Sequence, residues 1–319
     1  MDGWVPRCRS GQFITLSFFT HGREKRRSYS LTCSPELGER LCITVKKIDN
    51  GEFSRWLVYY AQEGDVLLTT GISGYFLLPS EAETFTYFFL AAGSGITPCY
   101  SLIHFLLETT SAKIILIYSN KSVVQTLFYA QLQQWANEYR ERFTIHYFFS
   151  DSTDIQNKRL TSFLLSNLLS KHAANQRNPY VYLCGPYEYR LMATITLRAF
   201  GIEKERIRKE EFDPIPMPLT NRPPDVRAHN VTIHIGGSKH TLRVQYPKSI
   251  VAVAKENNVV VPYSCESGQC GSCAATCVSG KIWMGYNEVL TDDEIARGWV
   301  LTCVGFPIEG DAVIDFGNL

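Results

Sequence analysis

The sequence predicts a multidomain protein: an antiparallel β-barrel, then an α/β domain with a parallel sheet, then a smaller α+β domain. Before Pro79, short alternating segments are separated by turn residues, which is typical of small antiparallel barrels. Between Thr84 and Phe212, strand-like and helix-like segments alternate, which indicates a parallel sheet covered by helices. A proline-rich stretch then separates this region from a predicted hairpin and a cysteine-rich loop.

The proline-rich stretch from Asp213 to Ala228 marks a domain boundary, because its composition favours an extended, semi-rigid connector. The predicted segments are therefore a barrel over 1–80, an α/β domain over 81–212, a linker over 213–228 and an α+β domain over 229–319.

Each predicted element follows from its local pattern. In the barrel we expect strands at 12–19, 28–32, 41–48 and 65–69. In the α/β domain, strands and helices are expected to alternate through 84–92, 99–107, 113–118, 128–139, 143–149, 160–169, 180–184 and 188–200. The segments VTIHIG and HTLRVQY predict a hairpin in the last domain, and a short helix is expected near 250–256.

Composition excludes several classes of partner. Lys and Arg number 32 against 31 Asp and Glu, and the net charge of +1 provides no field to attract nucleic acid or an anionic membrane. The first residues lack the basic start and apolar stretch of a secretory signal, which predicts a cytoplasmic protein. The most apolar runs, 85–92 and 114–118, fall far short of the ~20 residues of a membrane helix and are interpreted as buried strands. The ten cysteines are then expected to be thiols or metal ligands.

Four of these cysteines have a characteristic spacing. Cys265, Cys270 and Cys273 follow the pattern Cys-x4-Cys-x2-Cys, and Cys303 lies further along, which is the ligand spacing of plant-type [2Fe–2S] proteins. The small residues between them allow the backbone to pass close to inorganic sulfide. A structural zinc site is the alternative, but such sites prefer two matched Cys-x2-Cys pairs and only one is present. Cys277 lies outside the spacing and is interpreted as a small packing residue.

Two turns in the α/β region suit a dinucleotide. The segment GSGITP, which contains Gly93, Gly95 and Thr97, follows a predicted buried strand and precedes a helix, whose N-terminus favours an anion. Cys184, Gly185 and Pro186 end a later strand, and ligands of open α/β sheets bind at such ends. A ribose 2′-substituent is expected near two further residues, Ser119 and Lys121. Lys121 is equally well explained as a solvated surface charge, so the choice between NADPH and NADH stays open.

The barrel region carries residues that suit a flavin. Arg27, Tyr29 and Ser30 form an Arg-x-Tyr-Ser pattern, which offers a guanidinium for phosphate, an aromatic face and a hydroxyl. Ser54 is predicted to cap a helix whose free N–H groups bind the flavin pyrophosphate. The other candidate flavin-binding residues in this region are Val45, Lys46, Gly51 and Phe53. Each motif taken singly is also compatible with an ordinary strand or turn.

With RSYS, VKK, GEFS, GSGITP, CGP and EEF in this order, the first two thirds of the chain resembles the ferredoxin–NADP reductase superfamily, and residues 229–319 resemble plant-type ferredoxins. The domain order matches one branch, which looks like the reductase subunit of phenylacetyl-CoA epoxidase and the reductases of hybrid-cluster proteins and other oxygenases. The resemblance implies a β-grasp fold for the last domain. It also implies three cofactors: FAD, a [2Fe–2S] cluster, and NADPH or NADH.

The resemblance also implies roles for single residues. Arg27, Tyr29 and Ser30 would contact FAD, with Ser30 near its reactive nitrogen, and Cys184 would lie beside the nicotinamide. Ser30 and Cys184 are therefore the candidate catalytic residues. Phe212 would either approach the flavin face or pack in the core.

One feature departs from this superfamily. Its members usually carry two further barrel strands ahead of the segment that matches Ser10 to Phe13, whereas nine residues precede that segment here. We therefore expect either a truncated chain or an incomplete barrel. This difference affects the expected affinity for flavin more than its identity.

The predicted activity follows from electron number. A nicotinamide delivers two electrons as hydride and a [2Fe–2S] cluster accepts one at a time, so a flavin is needed between them. We expect electrons to pass from NAD(P)H through FAD and the cluster to a redox protein of the oxygenase or hybrid-cluster type. Two alternatives are direct reduction of a small acceptor, such as oxygen or a quinone, and a non-enzymatic iron–sulfur redox sensor.

Overall fold

The computed structural model describes residues 8–20, 23–80, 82, 85–154, 158–173, 179–212 and 222–317. The chain divides into two compact units. The first unit comprises Met1–Ile14, Tyr29–Leu67 and Phe76–Phe212, and the second comprises Thr15–Ser28, Leu68–Tyr75 and Asp213–Leu319. The four-segment division expected from the sequence stays a prediction, and residues 213–221 of its linker lie outside the described residues.

Strands and helices alternate through most of the chain. The strands are β1 (Phe13–Thr20), β2 (Arg23–Ser30), β3 (Leu68–Ser73), β4 (Thr86–Ala92), β5 (Lys113–Asn120), β6 (Phe143–Phe149), β7 (Tyr180–Cys184), β8 (Ile207–Glu210), β9 (His229–Ile235), β10 (Ser238–Val244), β11 (Ala274–Met284), β12 (Trp299–Leu301) and β13 (Gly305–Asp315). The helices are α1 (Glu52–Tyr59), α2 (Ile96–Thr109), α3 (Tyr129–Glu138), α4 (Ser162–Ala173), α5 (Tyr187–Ala199), α6 (Ile250–Glu256) and α7 (Asp292–Ala296).

The first unit is organised around a parallel sheet with the strand order β6-β5-β4-β7-β8. Strand β4 is buried almost throughout, because apolar residues such as Phe89 and Leu90 point alternately to two separate cores. Such continuous apolar runs are typical of parallel strands that are covered on both faces. The predicted parallel α/β fold is confirmed, and β6 and β7 have the predicted bounds.

The region between β2 and β3 differs from the prediction. Residues 41–48 form no strand, and their one strand-like pairing is an isolated antiparallel bridge between Leu31 and Ile43. None of the side chains in 41–48 is buried, so this alternating pattern lacks the buried face that would stabilise a strand. Of the predicted barrel, the described residues carry the three-stranded sheet β2-β1-β3.

The C-terminal part of the second unit contains a mixed sheet with the order β10-β9-β13-β11-β12. Strands β9 and β10 form the predicted antiparallel hairpin, while β13 lies parallel to β9 in the middle of the sheet. Helix α6 has the predicted bounds, and Ser249 caps its N-terminus by accepting a hydrogen bond from the Ala252 N–H. Val251 and Val253 of this helix lie in the core of the unit, which gives an α+β fold.

Helices of the described ranges are all too short or too polar to span a bilayer.

The parallel sheet provides a stability prediction. Leu116 of β5 is fully buried, so Leu116→Ala removes packed methyl groups and leaves a cavity. We expect a loss of about 2 to 5 kcal/mol in the free energy of unfolding, measured by urea denaturation. The matched control is Val124→Ala, because Val124 is 95% exposed and its truncation should change this energy by less than about 0.5 kcal/mol. Equal losses in both variants would contradict the assigned burial.

Candidate functional sites

Two backbone turns meet at the carboxyl edge of the parallel sheet. One turn, Gly93–Gly95, connects β4 to α2, and the other follows β7 at Cys184 and leads into α5. Strands β4 and β7 pair in parallel, with Ala91 opposite Cys184. A Cβ atom on Gly95 would lie 2.1 Å from the carbonyl oxygen of Cys184. Glycine is therefore required at position 95 for the two turns to approach this closely.

The side chains of the two turns differ in part from the sequence prediction. The Thr97 hydroxyl is buried and donates a hydrogen bond to the Ser94 carbonyl at 3.0 Å, so it stabilises the turn itself. Gly185 accepts a hydrogen bond on its carbonyl from Arg190 Nε at 2.9 Å. Pro186 is the N-cap residue of α5 and has an extended backbone. Backbone N–H groups at the starts of α2 and α5 remain the natural anion donors of this edge.

Buried polar atoms lie at the end of the neighbouring strand β5. Ser119 Oγ and Asn120 Nδ2 make no hydrogen bond of standard geometry among the described residues, although each lies near a tyrosine hydroxyl, that of Tyr189 and that of Tyr118 respectively. Ser119 pairs in register with Ala92, which directly precedes the glycine turn. Buried polar atoms are normally satisfied, so these two fit a polar ligand at this edge. Lys121 follows the strand and is exposed.

A buried carboxyl group joins two of the predicted site residues. Ser30 Oγ donates a 2.5 Å hydrogen bond to Glu210 Oε1, and Glu210 pairs in register with Cys184. Burial raises the pKa of Glu210 to about 7, although the hydrogen bond from Ser30 opposes the shift. Burial, and then the nearby Glu210 carboxyl, raise the pKa of the Cys184 thiol well above its usual range. Cys184 is therefore a neutral thiol at neutral pH.

Glu210 was not identified as a site residue from the sequence. The Glu-Glu-Phe motif was one of the sequence matches to the superfamily, and no role was assigned to its first residue. In the structure, this residue, Glu210, has a raised pKa. Glu211, the second, forms a buried ion pair with Arg190. The third, Phe212, is 40% exposed, so the structure excludes the alternative that it packs in the core.

The remaining predicted flavin residues are dispersed along β2 and the segment after it. Arg27 is exposed, while Tyr29 and Val45 are half-buried. Lys46 extends toward the glycine turn, because its Nζ lies 3.4 Å from the position that a Cβ would take at Gly93. An ammonium group beside a glycine turn suits a phosphate.

The predicted capping role of Ser54 is wrong. Helix α1 begins at Glu52 with Gly51 as its N-cap, and no side chain caps it. Ser54 lies inside the first turn, where its hydroxyl accepts a hydrogen bond from the Ile48 N–H at 3.2 Å. Phe53 is buried beside it. The serine therefore stabilises the approach to the helix.

In the second unit, the four cysteines with the characteristic spacing converge. The thiol of Cys265 lies within hydrogen-bonding reach of Cys270 and Cys303, and Cys303 reaches Cys273 in the same way. Contact with Cys270 lowers the pKa of the Cys265 thiol, and contact with Cys265 raises the pKa values of the Cys270 and Cys303 thiols, so Cys265 is the thiol of this group that ionises most readily. The Cys303 N–H donates to Cys273 Sγ at 3.4 Å. Cys277 is not among these contacts and bonds instead to the Ser279 carbonyl at 3.4 Å.

The backbone of this cysteine loop also fits an iron–sulfur cluster. Gly271 has a φ of +75°, and a Cβ there would lie 2.9 Å from the ring of Tyr75. The Ser267 N–H donates to Cys265 Sγ at 3.5 Å, which is the kind of contact that tunes thiolate ligands. Four converging thiols with N–H donors therefore match the donor set of a [2Fe–2S] cluster.

Comparisons with known proteins match both regions of the chain that contain these sites. An oxidoreductase NAD-binding domain model matches residues 89–195, and a 2Fe-2S iron-sulfur cluster binding domain model matches residues 233–307. The chain is 30% identical over 320 residues to a component of the 1,2-phenylacetyl-CoA epoxidase of Escherichia coli (strain K12), covering 97% of this chain and 89% of the relative. It is 29% identical to the ferredoxin reductase component of 3-ketosteroid-9-alpha-monooxygenase of Mycobacterium tuberculosis (strain ATCC 25618 / H37Rv), covering 96% and 84%.

Among solved structures, phthalate dioxygenase reductase matches with a TM-score of 0.56 and 26% identity. The match covers 98% of this chain and 89% of that one. Phthalate dioxygenase reductase is a modular structure for electron transfer from pyridine nucleotides to [2Fe–2S].

Glu210 makes stability depend on pH. Between about pH 4.5 and 7 the folded protein retains a proton on Glu210 that the unfolded chain has released, so its contribution to stability falls as the pH rises. Glu210→Gln has no ionisable group at this position, so it does not lose stability in this way as the pH rises. We expect the variant to gain stability over the wild type as the pH rises from 4.5 to 8, by up to about 3 kcal/mol in urea denaturation.

The matched control for this prediction is Glu141→Gln, because that carboxyl is 92% exposed. Its difference from the wild type should stay constant across the same pH range. A pH-independent difference for Glu210→Gln would show that the Glu210 carboxyl is already ionised in the folded protein.

Proposed function

Because this chain belongs to the ferredoxin–NADP reductase superfamily, in the branch with a C-terminal [2Fe–2S] domain, we propose that it is the reductase component of an oxygenase system. It is an NAD(P)H-dependent oxidoreductase that uses FAD and a [2Fe–2S] cluster. The chemistry that FAD would supply when bound is the conversion of a two-electron hydride into single electrons that the cluster can accept. We call the space beside the two turns, Gly93–Gly95 and Cys184–Pro186, the nucleotide crevice. The proposal rests chiefly on the occurrence of this crevice and of the four converging thiols in one chain.

The dinucleotide is proposed to bind at the carboxyl edge of the parallel sheet. Gly93 and Gly95 allow its pyrophosphate to approach the backbone, with Thr97 ordering the turn, while Gly185 and Pro186 form the opposite side. Ser119 Oγ offers a buried polar atom, and the exposed Lys121 can approach a 2′-phosphate from solvent. Tight binding of NADPH would depend on that lysine, whereas NADH binding would not.

Ser30 and Cys184 are proposed to be the residues nearest the reacting rings. Both are buried and both adjoin Glu210, so they form a water-poor surface with a single exchangeable carboxyl proton. Exclusion of water protects a hydride transfer from competing protonation. The neutral thiol of Cys184 would place no charge beside the nicotinamide.

The flavin is proposed to contact the residues around β2 and α1. Arg27 and Lys46 would hold its phosphates, and the Tyr29 ring would pack against its isoalloxazine. The start of α1, which follows Gly51, would face the pyrophosphate with the positive end of its helix dipole. The other proposed contacts in this region are Val45, Phe53, Ser54 and the exposed Phe212.

Cys265, Cys270, Cys273 and Cys303 are the proposed cluster ligands. A cluster and free thiols are suited to the reducing cytosol. The cytoplasmic location that the sequence predicts is therefore part of this proposal. The division into barrel, α/β, linker and ferredoxin segments is proposed with the predicted bounds.

An oxygenase component is favoured over a hybrid-cluster protein as the acceptor. Relatives that match nearly the whole chain are named as parts of an epoxidase and of monooxygenases. Direct reduction of oxygen or a quinone would bypass the cysteine loop. A sensor that works only through its cluster would not require the nucleotide crevice.

The proposal is tested by anaerobic titration of the purified protein with NADPH and with NADH. Visible absorbance reports the flavin, and low-temperature EPR reports the cluster. We expect bleaching of the flavin together with a rhombic [2Fe–2S] signal, and the more effective donor identifies the coenzyme. A cluster that dithionite reduces but neither nucleotide reduces would refute the proposed reductase.

Removal of one ligand separates the two cofactors. In Cys265→Ser we expect NAD(P)H to bleach the flavin as before, while the [2Fe–2S] signal and the reduction of cytochrome c are lost by at least about tenfold. Ferricyanide, which accepts electrons from flavin directly, should still be reduced. Cys277→Ser is the matched control and should retain the cluster, because Cys277 is outside the thiol group. Loss of the cluster in Cys277→Ser alone would contradict the ligand assignment.

A further inference from the structure

Tyr263 lies two residues before Cys265, and its ring is enclosed by two cations. The Arg26 guanidinium lies 3.8 Å from the ring centroid, and Lys255 Nζ lies 4.7 Å from it. Arg26 Nη1 also donates a 3.2 Å hydrogen bond to the Tyr263 carbonyl. Arg26 comes from β2 and Lys255 from α6, and all three residues belong to the second unit. Cation–π contacts of this kind are strengthened when the groups are removed from water, and the Arg26 side chain is 10% exposed.

Each cation is paired with a carboxylate. Glu24 Oε1 lies 2.9 Å from Arg26 Nε, and Glu266 Oε1 lies 2.9 Å from Lys255 Nζ. The hydrogen bond from Arg26 lowers the pKa of Glu24, so this carboxyl is ionised at neutral pH. Two positive and two negative charges therefore lie around Tyr263, and one of them, Glu266, directly follows Cys265. We call these four residues, Glu24, Arg26, Lys255 and Glu266, the charge bridge.

A second contact holds the same part of the loop. Ser28 Oγ and Ser264 Oγ are 2.9 Å apart, and Ser28 also contacts Thr15 Oγ1 at 2.9 Å. Ser264 directly follows Tyr263 and precedes Cys265. Both residues before the first cysteine are therefore anchored to the side chains of Arg26 and Ser28 on one strand.

We propose that the charge bridge around Tyr263 positions the loop before Cys265 and sets the reduction potential of the cluster. The inference rests on the proposed function, because it takes Cys265 as a cluster ligand. Arg26 is thereby a positioning and tuning residue, whereas its neighbour Arg27 is assigned to the flavin.

The sign of each effect follows from electrostatics. Reduction adds one negative charge to the cluster, so a nearby cation stabilises the reduced state and a nearby carboxylate destabilises it. The intact bridge is balanced. Without the Arg26 charge, the bridge carries one excess negative charge and reduction becomes harder. Without the Glu24 charge, the bridge carries one excess positive charge and reduction becomes easier.

The test is an anaerobic redox titration of the full-length protein with dithionite and mediators, monitored by EPR. At a fixed ambient potential, Arg26→Gln should lower the ratio of reduced to oxidised cluster about two- to tenfold. Glu24→Gln should raise it by a similar factor, where tenfold corresponds to about 59 mV for one electron. Shifts of opposite sign support the charge bridge. Shifts of the same sign, or none in either variant, would overturn it.

Two control variants separate charge from structure. Arg26→Lys keeps the charge and should keep the ratio close to that of the wild type, with unchanged g-values and iron content. Lys248→Gln removes a charge from an exposed ion pair with Glu256 in the same unit and should also leave the ratio unchanged. A shift in Lys248→Gln equal to that in Arg26→Gln would show that net charge alone is responsible and would overturn the inference.

The wild type distinguishes the two proposals. If it carries no [2Fe–2S] signal after dithionite, the proposed function fails and the inference fails with it. If NAD(P)H reduces the cluster but neither Arg26→Gln nor Glu24→Gln changes the ratio of reduced to oxidised cluster, only the inference fails.

Discussion

The parallel register of β4, β7 and β8 is the constraint on which the nucleotide crevice depends. Ala91 lies opposite Cys184, and Cys184 lies opposite Glu210, so the chain reaches the same edge of the sheet three times. Parallel strands end together, and each end is free to carry a turn, a thiol or a carboxyl group. A shift of one residue in either pairing would turn the Cys184 side chain to the other face and separate it from Glu210.

Two consecutive acidic residues at the same edge differ in their hydrogen-bonding partners. Glu210 and Glu211 are consecutive, yet one is hydrogen-bonded to a neutral hydroxyl and the other is paired with a guanidinium. A buried carboxylate is costly unless it is paired, and Arg190 satisfies only the second of the two. Burial without a cationic partner therefore accounts for the elevated pKa of Glu210.

Much of this arrangement could be predicted from local sequence patterns. The buried strands of the parallel sheet and the hairpin β9–β10 have strong apolar periodicity, and the cysteine spacing indicated a shared site. The strand expected at residues 41–48 was wrong because alternation without a buried face stabilises no pairing. The pattern around Ser54 suggested a cap, but the helix begins two residues earlier, and boundaries of this kind are decided by backbone geometry.

Other features could not be predicted, because they join residues far apart in sequence. The hydrogen bond from Ser30 to Glu210 connects positions 180 residues apart, and no local pattern marks either side chain as the partner of the other. The contact of Tyr75 with Gly271 and that of Arg26 with Tyr263 are of the same kind. These contacts follow from the fold, and the spacing of the cysteines gives no information about what surrounds the loop.

The hydroxyl of Ser30 has a directional consequence for whatever binds beside it. A serine hydroxyl carries one hydrogen and two lone pairs, and here the hydrogen is directed to Glu210 at 2.5 Å. Toward the opposite side the oxygen therefore presents only lone pairs. A ligand that offers an N–H group meets an acceptor there, whereas one that offers a lone pair meets repulsion unless the serine gives up its bond to the carboxyl group. The Ser30–Glu210 pair therefore favours a ligand atom that carries a hydrogen over the same atom when it carries only a lone pair.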